Sequence, residues 1–218
     1  MAPSETGGPA RPTRRQLASA RCYDRLMRRA DPYWEGPVRR RLLGGLTGRV
    51  LDLGAGTGKS LPDLAGAGHV TAVEPAPGRR ALLAERARRA PVPVEVADAD
   101  AERLPYPDAS FDAVCCVLML CSVGDQARAL AEIRRVLAPG GTLAFIEHVR
   151  EEEPGARALL QRAVAPPQRA LLGCDLRRRT EEAIGAAGFA FEEIERHRPF
   201  GPLVPSQPII TGRASAPR

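Results

Sequence analysis

Short apolar runs, closed by glycine or proline, alternate with longer amphipathic stretches along most of this chain. The run Arg49-Val-Leu-Asp-Leu53 is followed directly by glycines and has the length of a strand buried on both faces. Similar runs predict strands over residues 69–73, 92–97, 111–120 and 142–148. The stretches between them predict helices beginning near Lys59 and spanning 78–89 and 125–137. Pro139-Gly140-Gly141 reads as a turn, because neither helix nor strand accommodates that triplet well. A helix over 180–187 is closed by Gly188, which relieves left-handed strain at a helix end. Residues 189–197 and 208–214 supply a last pair of strands. This alternation predicts an α/β fold: a doubly wound, mostly parallel seven-stranded sheet with helices on both faces.

Outside that frame, residues 1–15 have the composition of a disordered tail. Residues 16–218 form one domain, with an N-terminal helical lid over 16–46 and a helical insertion over 150–180. The lid pattern breaks near Asp31-Pro32, since proline disfavours helix in the residue before it. The insertion reads as a helix over 154–172 interrupted at Pro166-Pro167.

Charge changes little in this picture. The net charge is +6, but Lys59 is the only lysine and 31 of the 32 basic residues are arginine, while asparagine is absent. The basic clusters are scattered among acids, so they read as solvated faces and no nucleic-acid partner is expected. The five cysteines form no CxxC pair and no zinc spacing; no metal is expected, and buried reduced thiols point to the cytoplasm. The longest apolar run, residues 113–123, is about half of the ~20 residues a spanning helix needs, so no integral membrane segment is expected. A monomer or homodimer acting on a small molecule is the expectation.

The chemistry starts in the loop after the first strand, Asp52-Leu-Gly54-Ala55-Gly56-Thr-Gly58. Alternating glycines permit a tight turn and let a ligand lie on bare backbone. A dinucleotide loop of the GxGxxG type would place glycine where Lys59 stands. An acid two residues ahead of the glycines suits S-adenosylmethionine instead. That ligand carries an ammonium for Asp52 and a carboxylate for the loop amides, including that of Ala55. Glu74, followed by Pro75, ends the second strand 20 residues beyond Gly54, a distance at which a carboxylate accepts from both ribose hydroxyls.

These residues, with three later stretches, resemble the class I S-adenosylmethionine-dependent methyltransferases. The stretches are Asp100-Ala-Glu-Arg-Leu-Pro105 with Asp108-Ala-Ser-Phe-Asp112, then Arg135-Val-Leu-Ala-Pro-Gly-Gly141, and the helix bearing Tyr23-Asp-Arg-Leu-Met27. Residues 114–123, Glu147-His-Val149, Gly173-Cys-Asp-Leu176 and Pro208-Ile-Ile-Thr-Gly212 are similar to the methyltransferase-like branch that includes alkyl thiol methyltransferases. Animal members of that branch carry an apolar anchor; none is expected here, since no run in this sequence is long and apolar enough to serve as one. The resemblance covers about residues 20–214 and implies a Rossmann-like fold. It also implies cofactor contacts from Tyr23, Asp52, Gly54, Ala55, Gly56, Gly58, Glu74 and Pro75. Asp100 would accept from the adenine amino group beside the Ala101 amide, with Asp98 as the alternative, and Cys116, Val117 and Leu118 would pass close to the cofactor.

Methyl transfer is a direct displacement, so the protein mainly aligns the partners and excludes water. A thiol acceptor, with a reference pKa of about 8.5, needs help losing its proton at neutral pH. His148, ending the fifth strand at the ligand side of the sheet, is the candidate for that proton; the competing role is pinning the next loop. Cys121 and Ser122 sit at the mouth of the fourth strand as acceptor-pocket candidates, with buried packing the alternative for Cys121. Trp34, beside Tyr33 in the lid, either covers an acceptor or simply packs. Two other readings stand beside the thiol, oxygen or nitrogen methyltransferase: a nicotinamide-dependent oxidoreductase and a protein that holds S-adenosylmethionine without catalysis.

Overall fold

Alternate residues of strand β1 (Arg49–Leu53) enter two different cores, as the two-residue period of a strand requires. The computed structural model describes residues 11–30, 35–198 and 207–217. Leu51 and Leu53 join Val114, Cys116, Leu143 and Phe145 against one helical layer; Val50 joins Ala113, Cys115, Ala144 and Ile146 against the other. Both faces of the central strands are therefore buried, which is why they read as continuous apolar runs.

The sheet has seven strands in the order β3-β2-β1-β4-β5-β7-β6. They are β1, β2 (His69–Val73), β3 (Val94–Ala97), β4 (Phe111–Val117), β5 (Leu137–His148), β6 (Ala190–His197) and β7 (Ile209–Ser215). The first five are parallel; β7 runs antiparallel between β5 and β6. Strand β1 pairs with β2 on one side and β4 on the other, so the winding reverses there and a crevice opens at their carboxyl ends. The helices are α1 (Arg14–Ala30), α2 (Glu35–Leu43), α3 (Pro77–Ala87), α4 (Gln126–Val136), α5 (Ala156–Leu172) and α6 (Thr180–Ala186).

The first helix begins sooner than the composition of residues 1–15 implies. Thr13 and Gln16 exchange reciprocal bonds, Thr13 N–H to Gln16 Oε1 at 2.8 Å and Gln16 N–H to Thr13 Oγ1 at 3.2 Å. That capping box starts α1 at Arg14 rather than at residue 16. Helix α1 then lies on α3, so closely that a Cβ at Gly78 would meet the Gln16 carbonyl at 2.4 Å.

Three other expectations are corrected. The helix expected from Lys59 is only a 3-10 turn, Leu61–Leu64, with Pro62 in its first turn and Gly66 and Gly68 following. Pro139-Gly140-Gly141 lies inside β5; Gly140, at φ +72°, absorbs the irregularity while the ladder shifts register opposite Phe111 and Ala113. Helix α5 continues through Pro166 and Pro167; the carbonyls of Arg162 and Ala163, which lose their helical donors, belong to exposed residues that water can satisfy. The helix stop at Gly188 is as expected, with φ +88°. No helix of the described residues is long and apolar enough to cross a membrane.

Candidate functional site

At the carboxyl end of β1 the chain makes three left-handed glycines in a row of five residues: Gly54 (φ +73°), Gly56 (φ +58°) and Gly58 (φ +83°). Ala55 N–H donates to the Val73 carbonyl at 2.9 Å, tying this loop to the end of β2. Gly58 N–H closes the turn on Ala55 O at 2.8 Å. Gly54 is glycine for a second reason: a Cβ there would lie 2.4 Å from Met119 Cγ. The loop after β1 and the loop after β4 are thus in van der Waals contact.

Glu74 binds the glycine loop directly. Its Oε2 accepts from Gly56 N–H at 3.0 Å and its Oε1 from Ala76 N–H at 2.8 Å. A carboxylate has roughly four lone-pair sites, so acceptor capacity is left over after these two bonds. The backbone on either side is braced by Arg80, which donates to the Glu74 and Pro75 carbonyls at 2.7 and 2.8 Å. Arg80 also pairs with Asp98 at 2.7 Å. Asp100 instead accepts from Glu102 N–H at 2.9 Å across a short turn that leaves Ala101 half-buried.

Asp52 is the least satisfied acid of the site. Cys115 Sγ donates to its Oδ1 at 3.5 Å, while Oδ2 is buried with no hydrogen-bond partner among the described residues. Desolvation pushes its pKa up to about 7, against smaller lowering effects of Cys115 and Arg39. A buried acceptor aimed at nothing, beside a loop of bare glycine backbone, is what a ligand bearing an ammonium and a carboxylate needs. The residues present fit S-adenosylmethionine.

Helix α1 closes one side. Thr57 Oγ1 donates to Asp24 Oδ1 at 2.6 Å, and Arg86 of α3 reaches both Asp24 oxygens at 2.8–2.9 Å and the Thr57 carbonyl at 2.6 Å. Burial works against the Asp24 anion, but the Arg86 and Thr57 bonds win and its pKa is lowered. Tyr23, one residue earlier, lies under the Arg79 guanidinium, 4.6 Å from the ring centroid. Burial raises the Tyr23 phenol pKa, Arg79 opposes it, and Glu35, Cys121 and Glu74 add to it.

The loop after β4 is held by Glu147, which the sequence reading passed over. This fully buried carboxylate accepts backbone N–H bonds from Met119 (2.9 Å), Leu120 (2.7 Å) and Cys121 (2.9 Å). Burial pushes its pKa well up and Cys121 adds to this; the three N–H donors pull the other way. The signal was there, an acid closing the apolar run Leu-Ala-Phe-Ile of a central strand. Leu118 turns the corner at φ +55°, a left-handed conformation in a non-glycine residue.

His148 follows Glu147 and is partly exposed. Its Nδ1 lies 3.4 Å from Cys174 Sγ and 3.9 Å from Cys121 Sγ, and Cys174 Sγ donates to Cys121 Sγ at 3.2 Å. Burial lowers the imidazole pKa, but Cys121, Glu147 and Glu35 outweigh it and the net shift is upward. The two cysteines are 53 positions apart, which is why no spacing rule found them. Ser122 is exposed, its Oγ 3.6 Å from Cys121 Sγ.

Of the expected site residues, the structure brings Glu74 onto the Gly54–Gly58 loop and groups Cys121, Ser122 and His148, with two qualifications of fact. The Cys116 side chain is buried in the core shared with Leu53 and Phe145, so only its backbone is available near the crevice; Val117 and Leu118 are half-buried. Trp34 and Tyr33 lie outside the described residues. Lys59, where a dinucleotide loop has glycine, sits 3.9 Å from Glu35.

A doubly wound sheet with a glycine loop and an acid at the crevice defines the Rossmann-like α/β class. The sequence matches the family model described as a methyltransferase domain over residues 51–145. It is 34% identical over 169 residues to thiol S-methyltransferase TMT1B of Rattus norvegicus, covering 76% of this chain and 69% of that one. It is 35% identical over 120 residues to demethylmenaquinone methyltransferase of Deinococcus radiodurans, covering 54% and 50%. Among solved structures, it is similar to geranyl diphosphate C-methyltransferase from Streptomyces coelicolor in complex with S-adenosyl-L-homocysteine. That similarity has TM-score 0.67 at 18% identity, covering 84% of this chain and 79% of that one. The chain belongs to the S-adenosylmethionine-dependent methyltransferases.

Proposed function

We propose that this enzyme methylates the sulfur of a small thiol. S-adenosylmethionine, when bound, supplies the activated methyl group. Asp52 faces its ammonium, the Gly54, Ala55, Gly56 and Gly58 backbone its carboxylate, and the free acceptor sites of Glu74 its ribose. Asp100 and Ala101 serve the adenine, while Tyr23 and Pro75 flank the nucleoside. Residues 16–46 act as a lid over this cofactor, and residues 150–180 shape the acceptor side within a single domain.

The observation that carries the acceptor reading is the continuity from glycine loop to His148. Gly54 touches Met119, the N–H groups of Met119 to Cys121 are held by Glu147, and His148 is the next residue. The acceptor therefore meets the methyl group between the β4 loop, with Cys121 and Ser122, and the His148 imidazole. His148 is the group that takes the thiol proton, which matters because a thiolate is the far better nucleophile. Similarity to a thiol S-methyltransferase over 76% of the chain supports the same reading. The free state of all five cysteines supports a reducing, cytoplasmic setting, and the substrate class requires neither nucleic acid nor a second subunit.

The test is a panel of alkyl thiols, phenols and amines with methyl-labelled cofactor. Thiols are expected to be labelled fastest, with a rate rising as the thiol pKa falls. Labelling of phenols or amines alone, or of nothing despite measured cofactor binding, overturns the assignment.

A further inference from the structure

Three ligand-type side chains meet beside the crevice from three separate parts of the fold. Cys121 comes from the loop after β4, His148 from the end of β5, and Cys174 from the segment after α5. Their Sγ, Nδ1 and Sγ atoms all lie within 4.8 Å of one another, at pairwise distances of 3.2, 3.4 and 3.9 Å. Zinc held tetrahedrally by sulfur at about 2.3 Å and nitrogen at about 2.0–2.1 Å requires its ligand atoms to be about 3.5–3.8 Å apart. The three observed separations straddle that range.

The surroundings are those of a built site. Both sulfurs are buried and packed with Ala165 and Leu176, an apolar wall. The Cys121 backbone is anchored from both directions: its N–H is bound by Glu147, and its carbonyl accepts from Asp175 N–H at 2.8 Å. Asp175, next to Cys174, is itself fixed by Arg169 and Arg177 at 2.9–3.1 Å. Two of the three ligands are thus positioned by neighbouring hydrogen bonds, as metal ligands commonly are. His148 is the partly exposed member, so the cluster opens toward solvent on the crevice side.

We propose that Cys121, His148 and Cys174 bind one zinc ion and present its fourth position to the acceptor thiol. Three protein ligands with an open fourth position are the arrangement of catalytic rather than structural zinc. Zinc binding releases the two cysteine protons. The acceptor R–SH then coordinates as thiolate, its proton leaving to water, so the ion performs the activation and His148 holds the ion in place of the proton. The thiolate sulfur donates an electron pair to the methyl carbon as the carbon–sulfonium bond breaks, giving the thioether and S-adenosylhomocysteine. A neutral thioether is a much poorer zinc ligand than a thiolate and departs. This inference rests on the thiol reading above; it adds how the sulfur is bound and replaces proton removal by His148 with activation by the metal.

The full-length protein, reduced and stripped with a chelator, is titrated with cobalt(II) and then zinc. One equivalent of cobalt is expected, with a sulfur-to-cobalt charge-transfer band, visible bands of tetrahedral intensity, and displacement by zinc. Ethanethiol is expected to shift the visible bands. Cys174→Ser and His148→Gln are each expected to weaken metal binding at least about tenfold. S-adenosylmethionine binding is expected to be retained, which also reports that the variants are folded. A cobalt spectrum unaltered in both variants, no binding by the reduced protein, or full ethanethiol methylation by protein free of metal overturns the zinc site. The last of these leaves the thiol methyltransferase reading standing. Metal binding with no thiol methylation would instead sink the acceptor reading and the activating role together.

Discussion

The Glu74 carboxylate accepts a hydrogen bond from the backbone N–H of Gly56 at 3.0 Å, joining the acid that ends β2 to the glycine loop that ends β1. One side chain therefore shapes the loop, and under the proposed function its remaining acceptor sites take the cofactor ribose. Glu74→Ala is expected to weaken S-adenosylmethionine binding by about 1.5–3 kcal/mol, the range for hydrogen bonds to a charged group. Glu74→Gln, which can still accept from Gly56, is expected to lose less. Calorimetric titration checks this, and equal affinity in wild type and Glu74→Ala would mean that the ribose is bound elsewhere.

Asp52 carries a pH dependence. Its pKa rises from 3.8 to about 7 on folding, so between those values the native state keeps a proton that the unfolded chain has lost. Its cost to stability therefore grows as pH rises from the lower value and is complete above the higher one, at up to about 4 kcal/mol. Asp52→Asn is expected to raise the melting temperature of cofactor-free protein at pH 8 and leave it little changed at pH 4. Cofactor affinity should behave oppositely, falling about tenfold per pH unit below pH 7 as the ammonium's partner protonates, and flat in Asp52→Asn. A pH-independent wild-type affinity would show that the ammonium is not held by Asp52.

Glu147 bears three backbone donors in a place water does not reach. Removing it leaves the N–H groups of Met119, Leu120 and Cys121 unpaired, so Glu147→Ala is expected to cost about 3–5 kcal/mol. Amide exchange in residues 118–122 should accelerate most, since that loop loses its anchor. Denaturant unfolding and hydrogen exchange together check the magnitude and the location.

Gly54→Ala meets two obstacles at once, a φ of +73° and a Cβ 2.4 Å from Met119 Cγ. The backbone strain alone costs about 1–2 kcal/mol. Displacement of the Met119 loop should further reduce cofactor affinity. Adding Met119→Ala is expected to restore part of the affinity but none of the backbone strain. If the double variant binds no better than Gly54→Ala, the contact between the two loops is not what limits it.

Much of this molecule can be read from local signals. The seven strands, their alternation with helices, the glycine loop and Glu74 follow from apolar period and turn chemistry within windows of a dozen residues. The capping box at Thr13 is equally local, but the polar, Pro-rich and Arg-rich composition around it hides the helix start, which lies two residues before position 16. The interruption expected at Pro166-Pro167 failed for a different reason. Proline removes donors from a helix, but a 17-residue helix with those prolines on its exposed side continues regardless.

What the linear order determined is the set of strands and the ligand class, because strand period, glycine freedom and an acid at a strand end act over short range. Tertiary structure alone decided that Glu147 would anchor the loop after β4. It alone left Asp52 Oδ2 without a partner among the described residues, and it alone brought Cys121, His148 and Cys174 together from three segments. Those relationships depend on sheet register and on which faces close over one another, and neighbours set by long-range packing leave no periodic trace in the chain.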